Sequence, residues 1–104
     1  MDDRELLERA AKAAGADWVV EEDGRFEVLS EIGGVSGYWN PLTDDGDALR
    51  LAVKLGLELD FDDGSTTAND RHLLVYAHEF HAGQAMERTR RAIVRAAAAM
   101  AKED

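Results

Sequence analysis

The sequence predicts an α+β fold: an antiparallel sheet of about five strands with three helices, in the order α-β-β-β-α-β-β-α. Three observations carry that prediction. Both ends of the chain repeat apolar residues at helical spacing, from Asp2 to Gly15 and from Ala82 to Lys102. Two β-rich runs, DWVVEE and RFEVLS, flank Asp23-Gly24, and Gly33-Gly34 follows as a second turn signal. Between these regions lies Trp39 to Gly56, WNPLTDDGDALRLAVKLG, which holds the only proline together with a strong helix start and a clean helix stop.

Taken in order, Asp2 or Asp3 caps the first helix, with Glu5 in capping-box spacing after Asp2. Leu6, Leu7, Ala10, Ala13 and Ala14 share one face until Gly15 ends it. Asp23-Gly24 then fits a two-residue type I′ hairpin. That register puts Val19 and Val28 on one face and Trp18, Val20 and Leu29 on the other, so both faces are apolar at the base and the tip is charged. Val35 to Asn40 completes the meander.

Pro41 lacks an amide hydrogen and holds Asn40 extended, so the strand through Tyr38 and Trp39 must stop there. Thr43 or Asp44 caps the next helix, and Asp44, Asp45 and Asp47 place carboxylates at its positive end. Apolar residues cover most of its circumference, leaving Asp47, Arg50 and Lys54 as a narrow polar strip, the pattern of a mostly buried helix. Gly56 supplies the left-handed stop.

Leu57, Leu59 and Phe61 alternate with Glu58, Asp60 and Asp62, a half-buried strand. Asp63 to Asp70 reads as a polar loop; in His72 to Phe80 the alternation of Leu73, Val75 and Ala77 competes with a helical face of Leu73, Leu74, Ala77 and Phe80, and the β-leaning Leu-Leu-Val-Tyr favours a strand that can pair with Leu57 to Asp62. On the last helix Met86, Thr89, Ile93, Ala97 and Met100 line one face, and Gln84, Arg88, Arg91, Arg95 and Lys102 form a basic stripe opposite, read as a solvated face.

The central string resembles a run in small proteins of tailed phages and prophages, where an aromatic-Asn-Pro-Leu-Thr-Asp-Asp-Gly-Asp lead opens a Leu/Ala/Val helix. TRRAIVRAAAAM, Thr89 to Met100, and the opening MDDRELLERAAKAAG are similar to the same family. GSTTANDRHLLVYAHEFHAG carries no such likeness. The resemblance implies a phage or prophage origin and a bacterial host cytoplasm. It transfers no chemistry to individual residues.

A chain of 104 residues predicts a single compact domain over 1–104 that stands without metal or disulfide staples. It has no cysteine, which removes thiolate nucleophiles, disulfides and Cys-ligated zinc together. No leader or membrane-spanning run is read, and the expected location is cytoplasmic. The net charge of −10 is lopsided: 17 acidic against 6 basic residues through Asp63, and 5 against 6 from Gly64 onward. Such a body repels a phosphate backbone, so direct nucleic-acid binding is disfavoured, while a protein with a basic surface, such as a nucleic-acid-binding complex, is a suitable partner.

Candidate chemistry is sparse. His78-Glu79-Phe80-His81 lacks the spacer that sets metal ligands one helical turn apart, and on a strand His78 and His81 face opposite ways. Asp60 to Ser65 has the carboxylates of a calcium loop without its glycine position or terminal Glu. The Asp44-Asp45-Gly46-Asp47 run is accounted for by its helix start. No serine or threonine has a partnered base. The expectation is therefore a non-enzymatic protein with no metal and no cofactor, binding through Glu21, Glu22, Asp23, Glu27, Tyr38, Asp44, Asp45, Asp60, Asp62 and Asp63. An anti-CRISPR-like inhibitor that occupies a basic groove is the leading reading. A protein sequestering a signalling nucleotide, with the basic stripe of one copy meeting the aromatics of another, and a virion assembly protein are the alternatives. Self-association into a small homo-oligomer is open.

Overall fold

The computed structural model describes residues 1–71 and 75–101. Within them the chain forms α1 (Asp3–Ala13), β1 (Trp18–Val20), β2 (Phe26–Ile32), β3 (Val35–Tyr38), α2 (Asp45–Leu55), β4 (Glu58–Asp62), β5 (Ser65–Asn69), β6 (Tyr76–Phe80) and α3 (Ala85–Ala99). The fold is α+β with three helices, but its six strands form two antiparallel sheets, β1-β2-β3 and β4-β5-β6, rather than one sheet of five. The extra strand is β5, where a polar loop was expected. It separates β4 from β6, so the predicted pairing of those two does not occur. Asp63-Gly64 alone makes the turn, since Asp62 pairs with Ser65. His72, Leu73 and Leu74 of the predicted strand lie outside the described residues, as does Lys102.

Capping chemistry places the helices. Asp2 accepts a hydrogen bond from the Glu5 amide at 2.8 Å and opens α1. Asp44 accepts from the Asp47 amide at 2.8 Å and opens α2, and Gly56, at φ 66°, closes it. The α2 helix is less enclosed than its composition predicts, because Leu49 and Val53 are exposed while Asp47 is buried. The reason is local. One Asp47 oxygen accepts from the Asn40 amide at 2.9 Å and the other from Arg50 at 2.7 Å, which ties the proline turn to the helix start. The last helix begins at Ala85 because Ala82 (φ 50°) and Gly83 (φ 80°) turn left-handed before it.

The hairpin between β1 and β2 differs from the expected one by a single residue. Trp18 pairs with Val28 and Val20 with Phe26. The Gly24 amide donates to the Glu21 carbonyl at 2.9 Å and the Glu21 amide to the Arg25 carbonyl at 2.8 Å, closing a loop over Glu22, Asp23 and Gly24. Gly24 takes the left-handed position (φ 88°) that such a loop requires. A one-residue slip exchanges the faces. Trp18, Val20, Phe26 and Val28 therefore share the inner face, and Val19, Glu27 and Leu29 the outer one. The two-residue type I′ geometry occurs instead at Gly33-Gly34, both at positive φ between paired Ile32 and Val35.

The main core joins Phe26, Val28, Ile32 and Trp39 to Leu6, Leu7 and Ala10 of α1, Leu51 of α2, and Ile93, Val94 and Ala97 of α3. Phe26 sits between Trp18, at 6.3 Å between ring centroids, and Trp39, at 5.8 Å. A second, smaller cluster sets Ala68 and Ala77 against Ala92 and Ala96, bringing the second sheet close to α3. α3 is thus the central element, packed by α1, α2, β5 and β6.

Candidate functional surface

The central position of α3 decides what the charges do. Its basic stripe is only partly solvated, and its arginines are engaged: Arg88 and Arg95 both pair with Glu79, Arg91 reaches Asp3 at 3.2 Å, and Arg90, beside the stripe, reaches Asp45 at 2.6 Å. Arg90 also donates to the Leu42 carbonyl at 2.9 Å, and Arg95 to the His78 carbonyl at 3.0 Å. The helix holds the acidic body together from inside. Asp45 is therefore engaged with the fold, and Asp44 is both the α2 cap and a neighbour of Arg50 at 3.8 Å.

The other predicted binding residues fall into two separate groups. Glu21, Glu22, Asp23, Glu27 and Tyr38 lie on the tip and outer face of the first sheet, where Glu27 pairs across to Tyr38. This group carries its own cation. The Arg25 guanidinium stands 4.1 Å from the centre of the Tyr38 ring, and its Nε lies 2.6 Å from an Asp23 oxygen. The Arg25 backbone amide, bonded to Asp23 at 3.1 Å, together with the charge of its side chain holds the Asp23 carboxyl below the usual aspartate range against the opposing effect of desolvation.

Asp60, Asp62 and Asp63 form the second group, on β4 and the turn after it. Strand alternation and the observed register place Glu58, Asp60 and Asp62 on the outer face with Ser65, Thr67 and Asn69 of β5 and Tyr76, His78 and Phe80 of β6. Tyr76 is 70% exposed and Phe80 74%. None of the strand residues on that face is a lysine or an arginine. Among the described residues, Glu22, Glu27, Glu58, Asp60, Asp62 and Asp63 enter no ion pair.

The four strand aromatics Trp18, Tyr38, Trp39 and Tyr76 divide between core and surface and form no common patch. Trp39 is core at 4% exposure, Trp18 is half-buried, and the two tyrosines lie on different sheets. Phe80, His78 and Glu58 are the residues that sequence reasoning passed over. The alternation that puts Ala77 inside requires Tyr76, His78 and Phe80 outside, so their signal was present once β6 was taken as a strand.

His78 and His81 bond neighbouring threonines of β5 from opposite faces of the sheet. His78 Nδ1 lies 3.0 Å from Thr67 Oγ1 on the outer face, and the His78 ring meets the Phe80 ring edge-on at 4.9 Å. His81 Nε2 lies 2.7 Å from the buried Thr66 hydroxyl, which also meets Thr89 of α3 at 2.9 Å. Among the described residues no group of three or more His, Asp or Glu side chains stands close enough to hold a metal ion, and no helix is long and apolar enough to cross a membrane. Comparison with family models, curated proteins and solved structures returns no match to this chain.

Proposed function

We propose that this protein is a non-enzymatic binding protein that attaches to a positively charged surface of another protein. The carrying observation is the division of charge: the arginines of α3 are paired within the fold, while Glu58, Asp60, Asp62 and Asp63 are exposed and enter no ion pair among the described residues. Charge of one sign on a small rigid body favours fast, salt-sensitive association with a partner of the other sign. The resemblance of the Trp39–Gly56 and Thr89–Met100 strings to tailed-phage proteins supports a bacterial host cytoplasm as the setting. There a basic nucleic-acid-binding groove is an apt target, and counter-defence inhibition of the anti-CRISPR kind an apt role. The nucleotide-sequestering reading needs a free basic stripe, and Arg88, Arg91 and Arg95 are already paired.

Affinity capture from a bacterial lysate tests the proposal. The expected result is a bound protein retained at about 50 mM salt and released by about 500 mM, as screening removes the attraction. A variant with Glu22, Asp60, Asp62 and Asp63 changed to their amides should retain far less. Equal retention by that variant, or no protein bound at low salt, would sink the reading.

A further inference from the structure

The two sheets present the same groups outward but in different states of completion. On the first, an aromatic ring and a carboxylate already hold a guanidinium between them: Arg25 lies over Tyr38 and against Asp23. On the second, the rings of Tyr76 and Phe80 and the carboxylates of Glu58, Asp60 and Asp62 have the same chemistry and, among the described residues, no cation paired with them. β4 and β6 are two strand spacings apart, about 10 Å, with only the short side chains of β5 between them. A side chain the length of arginine can lie on a β6 ring and direct its donors toward β4.

We infer that the outer face of β4-β5-β6 is a docking surface for an extended, arginine-bearing segment of a partner protein. The guanidinium groups stack on Tyr76 and Phe80 and are neutralised by Glu58, Asp60 and Asp62. This rests on the reading of the protein as a binder of cationic surfaces and assigns the contact to one of its two acidic regions. The segment lies across the face and does not extend the sheet, because the β6 edge is capped: Arg95 occupies the His78 carbonyl that an added strand would use. Exposed aromatics on a sheet also suit stacked bases, but a phosphate backbone would run beside the carboxylates of β4 and be repelled.

The test is an NMR titration of the isotopically labelled whole protein at low salt with a capped peptide of alternating arginine and serine. Expected amide shifts concentrate on Glu58–Asp62, Ser65–Asn69 and Tyr76–Phe80. Changing Tyr76 and Phe80 together to alanine should weaken the peptide about tenfold, from the loss of two cation–ring contacts. Both side chains are largely exposed, so the variant should keep its fold, and an unchanged thermal melt checks this. Changing Glu21 and Glu22 to glutamine should alter affinity less than about twofold. Shifts centred on the first hairpin, undiminished binding by the alanine variant, or preferential occupation of the face by single-stranded oligothymidylate would each overturn the inference. If that happens while salt-sensitive capture from lysate persists, the assignment to this face fails and the broader proposal stands. Loss of capture as well removes both.

Discussion

The two sheets of this molecule are built alike, each a three-stranded antiparallel meander, yet they are held by different forces. The first buries Phe26, Val28 and Ile32 with Trp39 in a core of large side chains. The second rests on alanines, with Ala68 and Ala77 facing Ala92 and Ala96, and is fixed by polar contacts to α3 through Thr66, Thr89, Glu79 and Arg88. A fully buried floor of alanines, flanked by the partly buried Leu57, Leu59 and Val75, contributes less hydrophobic energy than the large side chains under the first sheet. Position therefore depends on directional bonds, and the aromatic residues of β6 are left facing outward.

Four measurements test this contrast. Phe26→Ala should have the largest effect, a loss of about 3–5 kcal/mol in chemical denaturation, since it empties the centre of the stack between Trp18 and Trp39. In the second sheet the damaging change has the opposite sense. Ala68→Leu should cost about 1–3 kcal/mol by overpacking against α3, and a neutral result would mean that the sheet is not held so close.

Next comes Glu79→Gln, which removes the partner of both Arg88 and Arg95. Those arginines keep 34% and 42% of their side-chain exposure, so solvent screening limits the loss to about 1–2 kcal/mol. Its signature is faster amide hydrogen exchange confined to β5 and β6. A uniform change across both sheets would count against the polar fixing of the second.

The smallest effect concerns the Asp23–Arg25 contact. Because the folded-state pKa of Asp23 is depressed, its contribution to the hairpin tip is present above the ordinary aspartate pKa of 3.8 and fades as pH falls through the lower folded value. Carboxyl NMR should show Asp23 titrating below 3.8, and Arg25→Gln should return it toward that value. Identical titration in both proteins would show that the side chain of Arg25 has no part in the shift.

Much of the helical architecture was legible in the residues. Asp2 and Asp44 cap where their spacing indicates, and Gly56 ends α2 because it alone tolerates the left-handed turn there without strain. The strands were read less well. Asp23-Gly24 is a strong hairpin signal, but the dipeptide does not distinguish a two-residue loop from a three-residue one with glycine last, and the difference of one residue exchanges the faces. β5 was missed because Ser65-Thr66-Thr67-Ala68-Asn69 has no apolar alternation. It is a strand because neighbours on both sides satisfy its backbone and because α3 comes close enough to cover Ala68 and bond Thr66.

The candidate surface was half visible. Asp60, Asp62 and Asp63 stood out as acids, but Tyr76 and Phe80 join them on one face only through the interposed strand. The arginines of α3 look free in sequence because their partners, Asp3, Asp45 and Glu79, are distant along the chain.

The α+β class and the helix limits set by caps and glycines follow from residues within a turn or two of one another, and the excess of negative charge from composition alone. Which charges are paired and which remain outward is set by the packing of elements distant in the chain. Ion pairing and face selection depend on approach in space, and here they depend on where one helix lies between two sheets.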